Sequence, residues 1–221
     1  MDFFFISHNE EFINELRCYF ETVSSVTCIC GDIREASIKN TAFISPSNSL
    51  ISMDTGIDKI YNEELFPYIK LPARKKLRSL ETKTLLGRDF LPVGSAMIIE
   101  ADHEMCSHII FAPIMFVSQD ISHTSNVYHS FLASLCVLKK FKNEKINKLV
   151  HPGIDDIDPK LAAQQLYHAF LDFVFVSNIP FQILHIVDRD VYITEQKNED
   201  QPNYFENLEI KEIDIEKIVY K

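Results

Sequence analysis

Short apolar runs alternate along the chain with longer stretches in which apolar residues recur every three or four positions. Residues 3–6, 26–30, 42–44, 96–100, 108–112 and 146–150 read as strands. Residues 10–20, with Phe12, Leu16, Tyr19 and Phe20 on one side, read as a helix. So do 58–68, 72–86, 125–142 and 159–174; the last has Asp158 placed as N-cap and Pro159 at its first position. Strands and helices that alternate in this way predict an α/β domain. After about Pro180 the pattern changes. Residues 181–187 predict one more strand, 195–205 are polar, and 208–221 alternate apolar and charged positions. The predicted organisation is a domain over 1–180 and an extension over 181–221.

With 221 residues, 46% of them hydrophobic, the chain is long enough for a sizeable core. Its formal net charge of -10, from 32 acidic and 22 basic residues, argues against nonspecific nucleic-acid binding, which needs a phosphate-neutralising surface. The basic run Arg74, Lys75, Lys76 and Arg78 reads as a solvated helix face. Five cysteines without a Cys-x-x-Cys pair predict neither a disulfide framework nor a zinc site. Cys28 and Cys30, two apart on a strand, are expected to be small buried residues on one face. The apolar start is too short for a signal peptide, and no apolar run reaches membrane-spanning length. A soluble, cytoplasmic protein with no membrane partner, no metal and no cofactor is the expectation. The eight histidines form no ligand spacing, and among them His151 is the one placed beside a presumed cleft.

Three segments carry candidate chemistry. The strand at 42–44 breaks into Ser45-Pro46-Ser47-Asn48 and then reaches Gly56-Ile57-Asp58. An apolar strand that ends in small polar residues delivers backbone N–H groups and an Asn side chain to the end of a sheet, where open α/β folds bind ligands. Gly31-Asp32-Ile33 follows the strand at 26–30, and His151-Pro152-Gly153-Ile154 precedes the last predicted helix. No Walker loop, dinucleotide-binding glycine fingerprint or serine-nucleophile elbow is present.

Together and in this order, over roughly residues 3–174, these segments resemble the macro domain, an ADP-ribose-binding module whose pattern reads GDI, SPANS, GG-I/V-D and PGLGTG. Thr124-Ser125-Asn126-Val127-Tyr128 is similar to a later segment of the same family. The resemblance implies a three-layer α/β/α fold with a mostly parallel, mixed central sheet. It implies that Asp32 accepts a hydrogen bond from the adenine amino group, assisted by the Ile33 N–H, and that Asn48 bonds the distal ribose. In hydrolytic members an aspartate at the position of Asp58 helps activate a water near the anomeric carbon, so Asn48 and Asp58 are the candidate catalytic residues. The alternative role of Asp58 is a first-turn carboxylate that favours the helix dipole, and that of Asp32 is a simple turn. Gly56 and the segment Gly153, Ile154, Asp155 and Asp156 would line the distal ribose and the diphosphate.

The chain departs from the pattern in both loops. Met53-Asp54-Thr55 stands where consecutive glycines are usual, and Asp155, Asp156 and Asp158 stand in the diphosphate loop. A helix N-terminus favours an anion by about 0.3–1 kcal/mol. A like charge at ~4 Å costs about 1 kcal/mol in water and about 4 at an effective dielectric of 20. One inward Asp therefore offsets the benefit of the helix. The implied partner is ADP-ribose, a related nucleotide or an ADP-ribosylated protein, with hydrolysis of ADP-ribosyl linkages as the implied activity. The alternative is a degenerate macro fold acting as a protein-interaction or structural module.

Overall fold

Alternation along the first strand sets the layers. In β1 (Asp2–Ser7) the rings of Phe3 and Phe5 pack against Phe20, Phe131 and Phe170 on one side, while Phe4 and Ile6 face a second cluster on the other. A computed structural model of the chain describes residues 1–36, 38, 41–101, 103, 106–141, 146–155 and 157–178. The chain divides into two compact units, Met1–Phe173 and Val174–Lys221. The first holds the whole sheet. Of the second only residues 174–178, the end of the last helix, are described.

The sheet has six strands in the order β2-β1-β6-β3-β5-β4, with β2 Val26–Cys30, β3 Thr41–Ser45, β4 Met97–Glu100, β5 His108–Phe111 and β6 Lys148–Pro152. All neighbours are parallel except β4, which runs antiparallel to β5 at the edge. On the first side, α4 (Asn126–Phe141) supplies Phe131, α5 (Pro159–Asn178) supplies Phe170, and Phe20 directly follows α1 (Glu10–Tyr19). Helices α2 (Gly56–Ile60) and α3 (Lys70–Ser79), joined through a wider π-type turn (Tyr61–Leu65), supply Tyr61, Leu65, Ala73 and Leu77 to the second. The fold is therefore the expected α/β arrangement with a mixed, mostly parallel sheet. Burial of Phe12, Ile13 and Leu16 fixes α1 on the sheet, and Asn9 caps it by accepting from the Phe12 N–H at 3.0 Å.

Four expectations are corrected. The helix expected over 72–86 ends at Ser79, where Glu81 takes a left-handed φ of 57° that stops the helix. The chain then forms a small hairpin closed by Phe90 N–H to Thr82 O and by a Lys83–Asp89 ion pair. The helix expected over 58–68 is a five-residue helix followed by the π-type turn. Cys30 is exposed and Cys28 only partly buried, because β2 is an edge strand. β6 starts later than 146 and runs through Pro152, whose place is set by pairing with Ile6 of β1. The strand expected at 181–187 and the extension 181–221 lie outside the described residues. Among the described residues no helix is long and apolar enough to cross a membrane.

Candidate functional site

A cleft of about 210 Å³ lies over the carboxyl ends of β1, β2 and β6 and against the start of α2. It is lined by Ile6, Ser7 and His8, by Gly31, Asp32 and Ile33, by Gly56, Ile57 and Ile60, and by Pro152, Gly153 and Asp155. Topology puts it there. The chain leaves β1 towards β2 on one side, while β6 enters on the other, and a crevice opens where the strand order turns. Gly31 N–H donates to Ser7 O at 3.0 Å and Gly153 N–H to Ile6 O at 3.1 Å, so the ladder continues one residue past β2 and β6. At Gly153 the backbones come so close that a Cβ would sit 2.1 Å from Ser7 Oγ and 2.7 Å from Ser7 Cβ. Glycine is required there by close approach.

Asp32 caps a short 3-10 turn, Ile33–Glu35, and its carboxylate is paired with Arg34. Oδ1 accepts from the Arg34 N–H at 2.8 Å and from Nε at 2.9 Å, and Oδ2 accepts from Nε at 2.8 Å and from Nη2. His8 Nε2 stands 3.5 Å from Oδ2. These Arg34 hydrogen bonds hold the Asp32 carboxyl down at about 2. Arg34 also donates from Nη1 to Glu64 at 2.9 Å and so links the turn after β2 to the π-type turn that follows α2.

The loop that brings the chain to α2 is held by burial. Ile51 and Met53 adopt left-handed φ values of 48° and 53°, each a strain of about 1–3 kcal/mol. Both side chains are buried, which over-determines this backbone and places Gly56, at φ 55°, on the cleft wall. Asn48 spends its side chain inside this loop. Oδ1 accepts from the N–H of Leu50 at 3.1 Å and of Ser52 at 3.2 Å, and Nδ2 donates to Ser52 Oγ. It does not line the cleft.

Asp58 does not line it either. Its carboxyl is buried under α2 and accepts a hydrogen bond from Ser45 Oγ, at the end of β3, at 2.5 Å. Burial pushes it up to about 6, against the opposing effect of that hydrogen bond. Ile154 is buried, whereas Asp155 is exposed at the cleft and adds negative charge to it. Asp156 lies outside the described residues. Asp158 caps α5, accepting from the Leu161 N–H at 3.0 Å as expected. His151, expected beside the cleft, is instead enclosed between the rings of Phe5 and Phe131 with Nδ1 at Pro152 O, and burial lowers it to about 4. Alternation explains this: one residue before Pro152, the ring points into the layer of α4. Among the described residues no group of three or more His, Cys, Asp and Glu is arranged to hold a metal ion.

Of the expected ligand-binding residues, the cleft thus brings together Asp32, Ile33, Gly56, Gly153 and Asp155. Ser7, His8, Ile57 and Ile60 also line the cleft and were not singled out from the sequence. Ser7-His8 directly follows the first strand, the signal that would have found them. Arg34, two residues after Asp32 on the same turn, does not line the cleft and acts on it only through its hydrogen bonds to Asp32.

This architecture is the macrodomain fold. Among solved structures the chain is similar to the macrodomain of Mycobacterium tuberculosis DarG, at 18% identity and a TM-score of 0.50, over 64% of this chain and 87% of that one. A mutant of the Oceanobacillus iheyensis macrodomain with ADPR matches at 13% identity over 65% of this chain and 90% of that one, with a TM-score of 0.34. No protein-family model matches the sequence. No curated protein matches it in sequence.

Proposed function

We propose that this chain is a binding module for ADP-ribose or a related nucleotide, and that the base end of the ligand enters the cleft over β1, β2 and β6. The observation that carries the reading is the convergence of Asp32, Ile33, Gly56 and Gly153, from three separate segments, on one cleft at the carboxyl ends of parallel strands. At about 210 Å³ the cleft is smaller than the ~300–1,000 Å³ of typical ligand pockets. It suits a base with its ribose, with the rest of the ligand running over Gly153 and Asp155.

Binding is better supported than hydrolysis. A general base has to reach the reacting centre directly or through one water. Asp58 is turned into the core against Ser45, and Asn48 is committed to its own loop. Calorimetric titration with ADP-ribose, with AMP and ribose phosphate as controls, tests the reading. Asp32→Ala removes the cap that shapes the base end, and binding is expected to weaken about tenfold or more. Absence of heat at millimolar concentrations of all three ligands sinks the proposal.

The interaction-module reading is favoured by one separate observation. Leu85 and Leu86 stand fully exposed at the tip of the hairpin after α3, where Gly87 N–H donates to Thr84 O at 2.9 Å. Turn tips normally carry polar residues. Sedimentation of the wild type and a Leu85→Ser, Leu86→Ser double variant, alone and mixed with cell extract, checks it. An association lost in the variant supports this reading, and identical profiles remove it.

A further inference from the structure

We infer that the hairpin after α3, with the basic residues beside it, docks on an anionic lipid surface. The inference is independent of the nucleotide reading, and it gives the exposed leucines of the hairpin a stated occupant. Positive charge is concentrated here. Residues 70–88 carry seven basic side chains and one acidic, in a chain whose formal net charge is -10. Two of the seven have local partners: Lys70 stands 3.9 Å from Asp54, and Arg74 donates to Ile51 O at 3.4 Å. The other five, Lys75, Lys76, Arg78, Lys83 and Arg88, are all exposed. Ala73 and Leu77 bury the inner face of α3, so helical spacing puts Lys75 and Arg78 on its outer side.

The hairpin holds its tip in a fixed shape. Thr84 N–H donates to Arg88 O at 2.9 Å, Arg88 N–H to Thr84 Oγ1 at 3.1 Å, and Gly87 N–H to Thr84 O at 2.9 Å. At the base, the ring of Phe90 meets that of Phe116 edge-on at 5.8 Å. Asp89 ties the hairpin to the end of α3, standing 2.7 Å from Lys83 Nζ and 3.8 Å from Arg78 Nε. On this frame Leu85 and Leu86 are almost wholly exposed. Exposed apolar groups of this kind mark a protein or a membrane contact. Shape and charge together favour the membrane. A protein partner needs a matching pocket to take a protruding two-residue tip, whereas acyl chains deform around it. Lys83 and Arg88 flank the leucines and come level with the headgroups once the tip is inserted. Interfacial segments use the same division, with apolar side chains below the headgroups and Lys and Arg among the anionic ones. The expectation of no membrane partner came from the length of apolar runs, which docking of this kind does not require.

The test is cosedimentation of the full chain with vesicles of phosphatidylcholine alone and of phosphatidylcholine with phosphatidylserine at roughly 3:1. Wild type is expected to partition onto the mixed vesicles about tenfold or more strongly than onto phosphatidylcholine, and added salt weakens that preference. Leu85→Ser with Leu86→Ser removes the apolar anchor and lowers partitioning about tenfold or more. Lys75→Ala with Lys76→Ala leaves the leucines in place and lowers partitioning onto the mixed vesicles about fivefold or more. No binding to the mixed vesicles, equal binding to the two compositions, or binding untouched by either pair of substitutions overturns the inference. Retention on immobilised polyglutamate without binding to vesicles assigns the basic face to an acidic polypeptide and overturns it as well.

Discussion

At Asp58, a buried carboxyl and one serine hydroxyl replace the solvated acid–base group that its place in the sequence suggests. The folded protein holds this proton more tightly than the unfolded chain does, because the group is raised to about 6 from an ordinary 3.8. Stability contributed by the protonated form is complete below about pH 4 and is lost as pH rises through about 6. Over that window the change is about 3 kcal/mol. Asp58→Asn keeps an acceptor for Ser45 Oγ and removes the charge. Urea denaturation should give similar midpoints for wild type and variant at pH 4, and a higher midpoint for the variant at pH 8. Equal midpoints at both values would show that Asp58 is solvated and would return it to the list of candidate bases. The same residue marks a limit of the sequence reading. Its position at a helix start was legible, but nothing in the local sequence says whether a first-turn carboxylate turns out to solvent or in towards Ser45, thirteen positions earlier.

Elements with strong periodicity were legible, and elements decided by tertiary contact were not. β1, α1, α4 and the cap of α5 follow directly from apolar spacing and from Asp158. β2 reads like an interior strand, yet it has a partner on one side only, and Cys28 stays partly buried while Cys30 is exposed. α3 was expected to continue to 86 because no Pro or Gly interrupts the run before Gly87. It stops at Ser79, where Glu81 takes a left-handed conformation that glycine usually marks. The loop before α2 shows the same limit. The strand end and Gly56 signalled a ligand edge, but Ile51 and Met53 hold left-handed backbone through burial of their side chains, which no turn signal announces. The grouping of Asp32 with Gly153 was legible from the order of the motifs. The Arg34 clamp on Asp32 was not, since two residues on a turn meet only when the turn is capped.

Across the whole molecule, two buried groups of opposite behaviour shape the dependence of stability on pH. His151, lowered to about 4 from an ordinary 6.5, holds its proton less tightly in the folded state. Its contribution is complete above about pH 6.5 and is lost as pH falls through about 4, opposite in sign to that of Asp58. Between about pH 4 and 6 the two largely cancel, and the wild type is expected to show a nearly flat thermal midpoint there. His151→Phe keeps the ring contacts with Phe5 and Phe131 and removes the titration. Its midpoint should fall as pH rises from 4 to 6, leaving the Asp58 slope uncovered. A flat profile in the variant would show that the slopes do not arise from this pair. The net charge of -10 adds a background self-repulsion, which added salt reduces in both proteins.

The approach of Gly153 to Ser7 has a consequence for how this sequence can change over time. A side chain at position 153 has to occupy space already filled by the Ser7 Cβ and hydroxyl, so the two positions are not free to vary independently. A Gly153→Ala substitution is accessible only to a lineage that has first passed through Ser7→Gly. The order of mutations, and not merely their identity, is constrained. Among divergent relatives, the pair at 7 and 153 should therefore covary as small with large or large with small, and positions elsewhere on the same cleft rim should drift without such coupling.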